Sequence, residues 1–475
     1  MKRTVIFLTV VMALLMSVVS VTAVSAAGTP REYIIMAQGE TSVSQTVKTQ
    51  ITAAGGTVTR DLSSMGMIVA TSSNPNFKAS IPSARAVMPN VKLQWLAPTK
   101  TIELDVDAAT INNPPNTGDD DFYLDLQWGH DAVNALEAWN DPEPGRGKGV
   151  RVAVIDSGID RNHPDISPNL NQALSTSFVP GESVFVQPNS TFNHGTHVAG
   201  TIAGADNGFG IVGIAPDAEI VAIKALSEFT GSGEWDWLVA AIKYAGDINA
   251  DVINMSLGGV MDVRGSCDDP SDCYTAQDVV NLRESLARAV RYANRKGATV
   301  IAAAGNDGIN FDDWNNRYLV NFPGAVPGVI AISALAPIGW ATDPAHADFD
   351  IPTSYTDAGR EYVDFGAPGG DTEYPGNENC TIATLTRPCW VFDLVFSAGR
   401  VYVDAAGVTR VSFFWAGGTS MATPHASGVA AIIIGWNGGS MRPDMVYAEM
   451  RRLANHVGPS TTTYFGQGTV SAQWR

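Results

Sequence analysis

The sequence predicts an α/β protein, a large unit built on a parallel sheet between helical layers, preceded by a small ferredoxin-like α+β unit. Three observations predict it. At 475 residues the chain is about three times the ~150-residue prior for one domain. From about Gly149 onward, short Val/Ile/Ala runs without polar alternation recur between Ala- and Gly-rich stretches, as in strands covered on both faces. Residues 31–98 instead alternate between strand-like and helix-like patterns over short distances. With 45% hydrophobic and 16% charged residues the chain can bury a large core. The balance of 30 Lys+Arg against 48 Asp+Glu, a net charge of −18, repels nucleic acid and anionic lipid and argues against both as partners.

Lys2 and Arg3 precede an apolar run from Val5 to about Val24, and Val24, Ser25 and Ala26 supply the small residues of a cleavage site. Residues 1–26 therefore read as a secretory signal, which implies a secreted, extracellular protein with no membrane attachment after its removal. Residues 27–100 form the small unit. Its strands are expected at Tyr33–Ala37, Thr57–Leu62, Gly66–Thr71 and Val91–Leu96, and its helices at Val43–Ala53 and Asn76–Val87, a β-α-β-β-α-β order. Residues 101–122, rich in Asp, Asn, Pro and Gly, have linker composition and are expected to carry a cleavage site.

Residues 123–475 form the large unit. Strands are expected at Val150–Ile155, Ile220–Ala225, Val252–Met255, Thr299–Ala303 and Val329–Ala334, with helices at Trp237–Ala245 and Glu284–Lys296. The stretches 260–283 and 370–412 read as loops. Four cysteines suit an oxidising destination, and local pairing as Cys267–Cys273 and Cys380–Cys389 closes two small loops at low entropic cost.

Three segments each put a reactive side chain at the junction of an element and a Gly-rich turn. In VAVIDSGID an apolar strand delivers Asp156 to a turn; in HGTHVAGTIAG, His194 opens a helix of small residues; in GTSMATPHASG, Ser420 opens another, with Pro424 placed in its first turn. Singly, each reads as a cap or a packed core group. Together, in the order Asp, His, Ser, they resemble the subtilisin-like (subtilase) family of serine endopeptidases. The likeness runs from about Gln127 to Gly435, and residues 31–98 resemble that family's inhibitor-type propeptide.

The resemblance implies a subtilisin-like three-layer sandwich in which Asp156 is the acid, His194 the base and Ser420 the nucleophile. In AAAGNDG, Asn306 stands as the side-chain donor to the oxyanion. Substrate would add as a strand between NMSLGG and GSGEWDWL, with Ser256, Leu257, Gly258 and Gly259 on one side and Ser232 and Gly233 on the other. Trp235 and Leu238 would line a hydrophobic pocket for a more distant side chain, and Ala303 and Gly305 would complete the pocket before the scissile bond. A structural Ca2+ is implied on Asp165, the Asn207 side chain and the carbonyls of Ala205, Phe209 and Ile211, although the family's N-terminal glutamine ligand is missing near Leu124. The implied partners are protein or peptide substrates and the chain's own propeptide, acting as chaperone and inhibitor of a monomeric, autoprocessed zymogen. A catalytically silent binding protein on the same fold is the alternative, and the intact Asp156, His194, Ser420 and Asn306 argue against it. His197, three residues after His194, lacks HExxH context, so a zinc pair is not expected.

Overall fold

The computed structural model describes residues 29–97, 99–107, 121–140, 145–186, 192–267, 273–456, 458 and 461–473. The expected signal segment and most of the expected linker lie outside them. In the small unit, β1 (Arg31–Met36), α1 (Gln45–Ala53), β2 (Gly56–Leu62), β3 (Met67–Ser72) and β4 (Ala86–Pro89) build an antiparallel sheet in the order β2-β3-β1-β4. Strand alternation sends Tyr33 and Ile35 to a core shared with Val47 and Ile51 of α1, and sends Ile34 and Met36 to the opposite face. That second face packs on the large unit.

The helix expected over 76–87 is absent. A single 3-10 turn, Lys78–Ser80, stands there, because Pro82 removes an N–H and pushes Ile81 out of the helical region, freeing residues 86–89 to pair as β4. The last expected strand, β5 (Lys92–Gln94), leaves the small sheet and pairs with the large unit. A second correction concerns the linker. Thr101–Asp107 forms β6, whose Ile102, Leu104 and Val106 pack into the core of the large unit while Glu103 and Asp105 face Arg400 and Tyr402 at 3.5 and 3.0 Å. The acids that give this stretch its linker composition are the outward positions of an amphipathic strand.

In the large unit, seven parallel strands form the central sheet. They are β7 (Arg151–Asp156), β8 (Thr176–Ser177), β9 (Glu219–Lys224), β11 (Val252–Met255), β13 (Thr299–Ala303), β15 (Val329–Leu335) and β16 (Phe365–Pro368), in the order β16-β15-β13-β11-β7-β9-β8. Alternate residues of these strands enter separate cores. Val152 and Val154 face α2 (His194–Ala203) and α5 (Thr419–Trp436), whereas Ala153 and Ile155 face α3 (Trp235–Asp247) and α4 (Ala276–Arg295). This is the three-layer α/β sandwich the sequence predicts.

Three shorter strands border the cleft: β10 (Ser232–Glu234), β12 (Gly259–Asp262) and β14 (Leu319–Phe322), the last two paired with each other. The stretch 260–283 is thus not only loop, since it supplies most of β12 and the first two turns of α4, opened by a capping box of Thr275 and Asp278. Likewise 370–412 holds the hairpin β17 (Asn379–Ile382) and β18 (Leu385–Pro388), then β19 (Val395–Val403), which pairs with β20 (Thr409–Ala416). β20 in turn pairs with β6, from Thr101 opposite Ala416 to Asp107 opposite Arg410. Both expected disulfides, Cys267–Cys273 and Cys380–Cys389, are formed. Pro424 is the sixth residue of α5, beyond the first turn, so it forgoes the helical bond to the Ser420 carbonyl.

Candidate active site

Asp156 ends β7 with its side chain 1% exposed, and its Oδ1 accepts from the Ser157 backbone N–H and hydroxyl at 2.6 and 3.0 Å. Its two carboxylate oxygens lie 3.0 and 2.9 Å from His194 Nδ1. The approach is close because the next residue is glycine: a Cβ on Gly195 would stand 2.2 Å from the Gly158 carbonyl and 3.1 Å from Asp156 Cβ. Asn193 caps α2 through its Oδ1, bonded to Thr196 N–H at 2.7 Å, which fixes the helix end that carries the imidazole. The other ring nitrogen, His194 Nε2, is buried with no hydrogen-bond partner among the described residues.

Ser420 is the second residue of α5, and its hydroxyl donates to the Ser256 carbonyl at 3.0 Å rather than to His194. Asn306 is oriented by Thr419, whose N–H and hydroxyl reach its Oδ1 at 2.8 and 2.9 Å, so its Nδ2 is turned the other way. A Cβ on Gly418 would lie 3.6 Å from both Asn306 Nδ2 and Ser420 N, so these two donors flank one small space that the glycine leaves open. The loop behind Asn306 turns at Gly305, with φ of 115° and room for no side chain, since a Cβ would meet Asp357 Oδ2 at 2.2 Å. Asp357 braces that loop by accepting from Asp307 and Ile309 N–H groups at 3.0 and 2.8 Å, and burial pushes its carboxyl up to about 7.

The four other buried histidines are held by backbone, and the first, His130, has Nδ1 3.1 Å from the Gln127 carbonyl and is pushed down to about 4 by burial. His197 Nε2 lies 3.0 Å from the Phe414 carbonyl, His163 Nε2 3.3 Å from that of Ser412 and His425 Nδ1 2.8 Å from that of Met421. Burial pushes these imidazoles down to about 4, 4 and 3. No group of three or more His, Cys, Asp or Glu side chains is placed to hold a metal among the described residues.

The cleft between β10 and β12 holds a segment of the same chain. Gln94 and Leu93 stand opposite Ser232 and Gly233, Trp95 and Leu96 N–H groups donate to the Gly231 carbonyl at 3.2 and 3.1 Å, and Gly258 N–H donates to the Trp95 carbonyl at 3.0 Å. Gly233 must be glycine because a Cβ there would stand 2.5 Å from the Ala225 carbonyl, whereas a Cβ on Gly259 would touch the Trp95 ring at 3.4 Å, an ordinary contact distance. That ring is 1% exposed, donates from Nε1 to the Gly233 carbonyl at 2.9 Å and packs on Trp235 with centroids 5.6 Å apart. Leu238 belongs to the same apolar cluster. Ser256 contributes its carbonyl to Ser420 and Leu257 turns into the core, while Ala303 ends the strand that leads through Gly305 to Asn306.

The residues expected around a cation also converge. Asp165 Oδ2 accepts from Ile211 N–H at 2.9 Å, its Oδ1 is buried with no hydrogen-bond partner among the described residues, Ala205 N–H reaches its carbonyl at 2.7 Å, and Asn207 Nδ2 reaches Pro164 O at 3.2 Å. Sequence reasoning missed Asp121, which it placed in the linker. Asp121 is 3% exposed and accepts from Phe209 and Asn207 N–H groups at 3.0 and 3.4 Å. Burial, then a shared hydrogen bond with Asp206, pushes its carboxyl up to about 7, and burial raises Asp165 well above the usual range, with Asp121 adding to it.

Residues 147–468 match the model of the family described as "Peptidase_S8: Subtilase family". The chain belongs to the subtilase family. It is 35% identical to subtilisin of Bacillus pumilus over 331 residues, 69% of this chain and 90% of that one, and 29% identical to thermitase of Thermoactinomyces vulgaris over 75% and 98%. Against subtilisin E of Bacillus subtilis (strain 168) the identity is 34%, and the match covers 69% of this chain but only 65% of the relative's length. Among solved structures, the epidermin leader peptide processing serine protease (EpiP) of Staphylococcus aureus superposes with a TM-score of 0.67 over 93% of this chain and 97% of its own, at 18% identity, a likeness of fold. At 93% of this chain, the likeness extends beyond residues 147–468.

Proposed function

We propose that this subtilase is a secreted serine endopeptidase, made as a zymogen whose residues 27–97 act as intramolecular chaperone and inhibitor. The observation that carries the reading is the His194 imidazole, held by the Asp156 carboxylate on one nitrogen and unpartnered on the other among the described residues, on a helix packed against the one that Ser420 opens. Turning the Ser420 side chain from the Ser256 carbonyl toward Nε2 completes the relay. His194 then takes the hydroxyl proton as Oγ attacks the peptide carbonyl, and gives it to the leaving amine as the acyl-enzyme forms. Asp156 fixes the tautomer and stabilises the imidazolium. Asn306 Nδ2 and Ser420 N–H, at the positive end of α5, receive the developing oxyanion in the space beside Gly418. Water repeats the sequence to release the acid.

The same reading assigns the maturation cut. Residues 91–96 lie on the acyl side of the cleft, β6 begins at Thr101, and Thr99 lines both the pocket that contains His194 and the one that contains Asn306. The bond cut falls between Leu96 and Lys100, upstream of residues 101–122 where the cut was expected, because Thr101–Asp107 is paired as β6, with Trp95 filling the distant pocket walled by Trp235.

A bound calcium would supply the positive charge that Asp121 and Asp165 share a need for. The two carboxylates, the Asn207 side chain and the carbonyls of Ala205, Phe209 and Ile211 form a hard oxygen set that suits it, with Asp121 in place of the missing glutamine. Its chemistry there is structural. The test is secretion of wild type and Ser420→Ala: the wild type splits and is labelled by a fluorophosphonate, whereas the variant stays one chain and unlabelled. A Ser420→Ala protein that matures and cuts peptides like wild type ends the reading.

A further inference from the structure

Lys100 extends its ammonium over the ring of Trp390, with Nζ 3.9 Å from the centroid, well inside the ~6 Å reach of a cation–π contact. Lys100 immediately precedes β6, on the leaving side of any bond cut between Leu96 and Lys100. Trp390 follows Cys389, which is fully buried, disulfide-bonded to Cys380 and donates its N–H to the Glu378 carbonyl at 3.0 Å. Val391, the next residue, is 2% exposed in the main core. The half-buried Trp390 ring is therefore held at both ends of its backbone, so presenting it to a cation costs little ordering.

Lys100 also lines a pocket of about 210 Å³ with Asn306, Tyr355 and Asp371. Asp371 is 3% exposed and its carboxylate is occupied by the Ser354 N–H and hydroxyl and the Thr372 N–H, at 2.6, 3.2 and 2.6 Å. The pocket thus joins a donor of the candidate oxyanion site to an acidic wall, and Lys100, which lines it, reaches from there to the Trp390 ring. A cation is the side chain that such a combination favours.

We propose that Trp390, mounted on the disulfide-closed hairpin β17–β18, is a specificity-determining residue that receives a Lys or Arg side chain of the substrate within the first four residues after the cut bond. Lys100 is its first occupant, during self-cleavage. This rests on the endopeptidase reading above and extends it to the leaving side of the substrate. After the cut Lys100 sits at a free chain end, held only from Thr101 onward, and can give way to the side chain of another substrate.

The test uses the enzyme matured from the full chain, with concentrations set by fluorophosphonate titration. Internally quenched peptides share one acyl half and carry Lys, Arg, Ala or Glu in turn at each of the first four leaving-side positions. One position should favour Lys and Arg over Ala by about 3- to 30-fold in kcat/KM, the range expected of a cation–π contact. Trp390→Ala should bring the Lys and Ala peptides to within about two-fold of each other, and Trp390→Phe should keep part of the preference, which a merely structural role for the ring does not predict. Removing the resident cation by Lys100→Ala should leave the preference in place or raise it. A profile flat at all four positions, or a basic preference that survives Trp390→Ala in titrated enzyme, overturns the inference. Absence of any titratable serine in wild type overturns the endopeptidase reading instead.

Discussion

The surroundings of His194 and those of His197 differ more than their separation of three residues on one helix suggests. Both rings are buried, and both use one nitrogen in a hydrogen bond. His194 meets a carboxylate, His197 a backbone carbonyl, and burial without a countercharge pushes His197 down to about 4. An imidazole beside a carboxylate can accept a proton and hold it; one beside a carbonyl dipole in an apolar layer stays neutral and serves as a packing group with one polar tip. The partner across the turn, not the residue type, decides which histidine can do chemistry.

The sharpest break in that comparison is Asp156→Asn, which keeps shape and removes the charge. It should lower kcat by about 10⁴-fold, a magnitude borrowed from serine proteases that include a subtilisin, with the active-site serine still present. A loss below ten-fold would show that the carboxylate does not set the role of His194. Next, Asn306→Leu should cost about 10²–10³-fold in kcat with KM little changed, again on the scale measured in a subtilisin. Steady-state kinetics on one peptide checks both.

Acid should then separate the two histidines. His197 has its folded value depressed below that of the unfolded chain, so its contribution to stability is fully present above about 6.5 and is lost as pH falls through about 4. The loss is on the order of 3 kcal/mol for one such group. Asp357 and Asp393, raised to about 7 by burial, act in the opposite sense, their contribution being lost as pH rises. Urea unfolding of the Ser420→Ala protein at pH 7, 5 and 4, with and without His197→Gln, isolates the histidine; identical pH slopes would remove it as the cause. Smallest of all, His197→Gln at pH 7 should cost about 1–2 kcal/mol in stability while activity per titrated serine stays within about two-fold of wild type.

The central sheet was legible because fully buried parallel strands write continuous apolar runs, and Val252–Met255 and Thr299–Ala303 fall where those runs predict. The Asp156–His194 pair and the glycine-walled cleft were legible through motif resemblance, which no periodicity would have supplied. What escaped did so for physical reasons. β6 and Asp121 were hidden in an acidic, polar stretch, because an edge strand shows solvent every second residue and a buried acid looks like a surface one until its neighbours in the fold, here Asn207 and Phe209, are known. The hairpin of β19 and β20 carries an Ala-Ala-Gly turn between alternating runs, a signal present in VYVDAAGVTRVSFFWA and overlooked among loops. The missing helix at 76–87 was punctuated by Pro82 all along.

Seven residues of β6 bind beside β20, so, on the zymogen reading proposed above, the amine liberated by the first scission would not drift away. Anchored a few residues from the acyl group, it competes with water as a nucleophile at an effective concentration no free peptide reaches. Aminolysis can thus remake the bond repeatedly. On that reading completion of the first turnover would be paced by fraying of that strand end, and the trapped acyl-enzyme should last longer in self-processing than with any substrate supplied from solution.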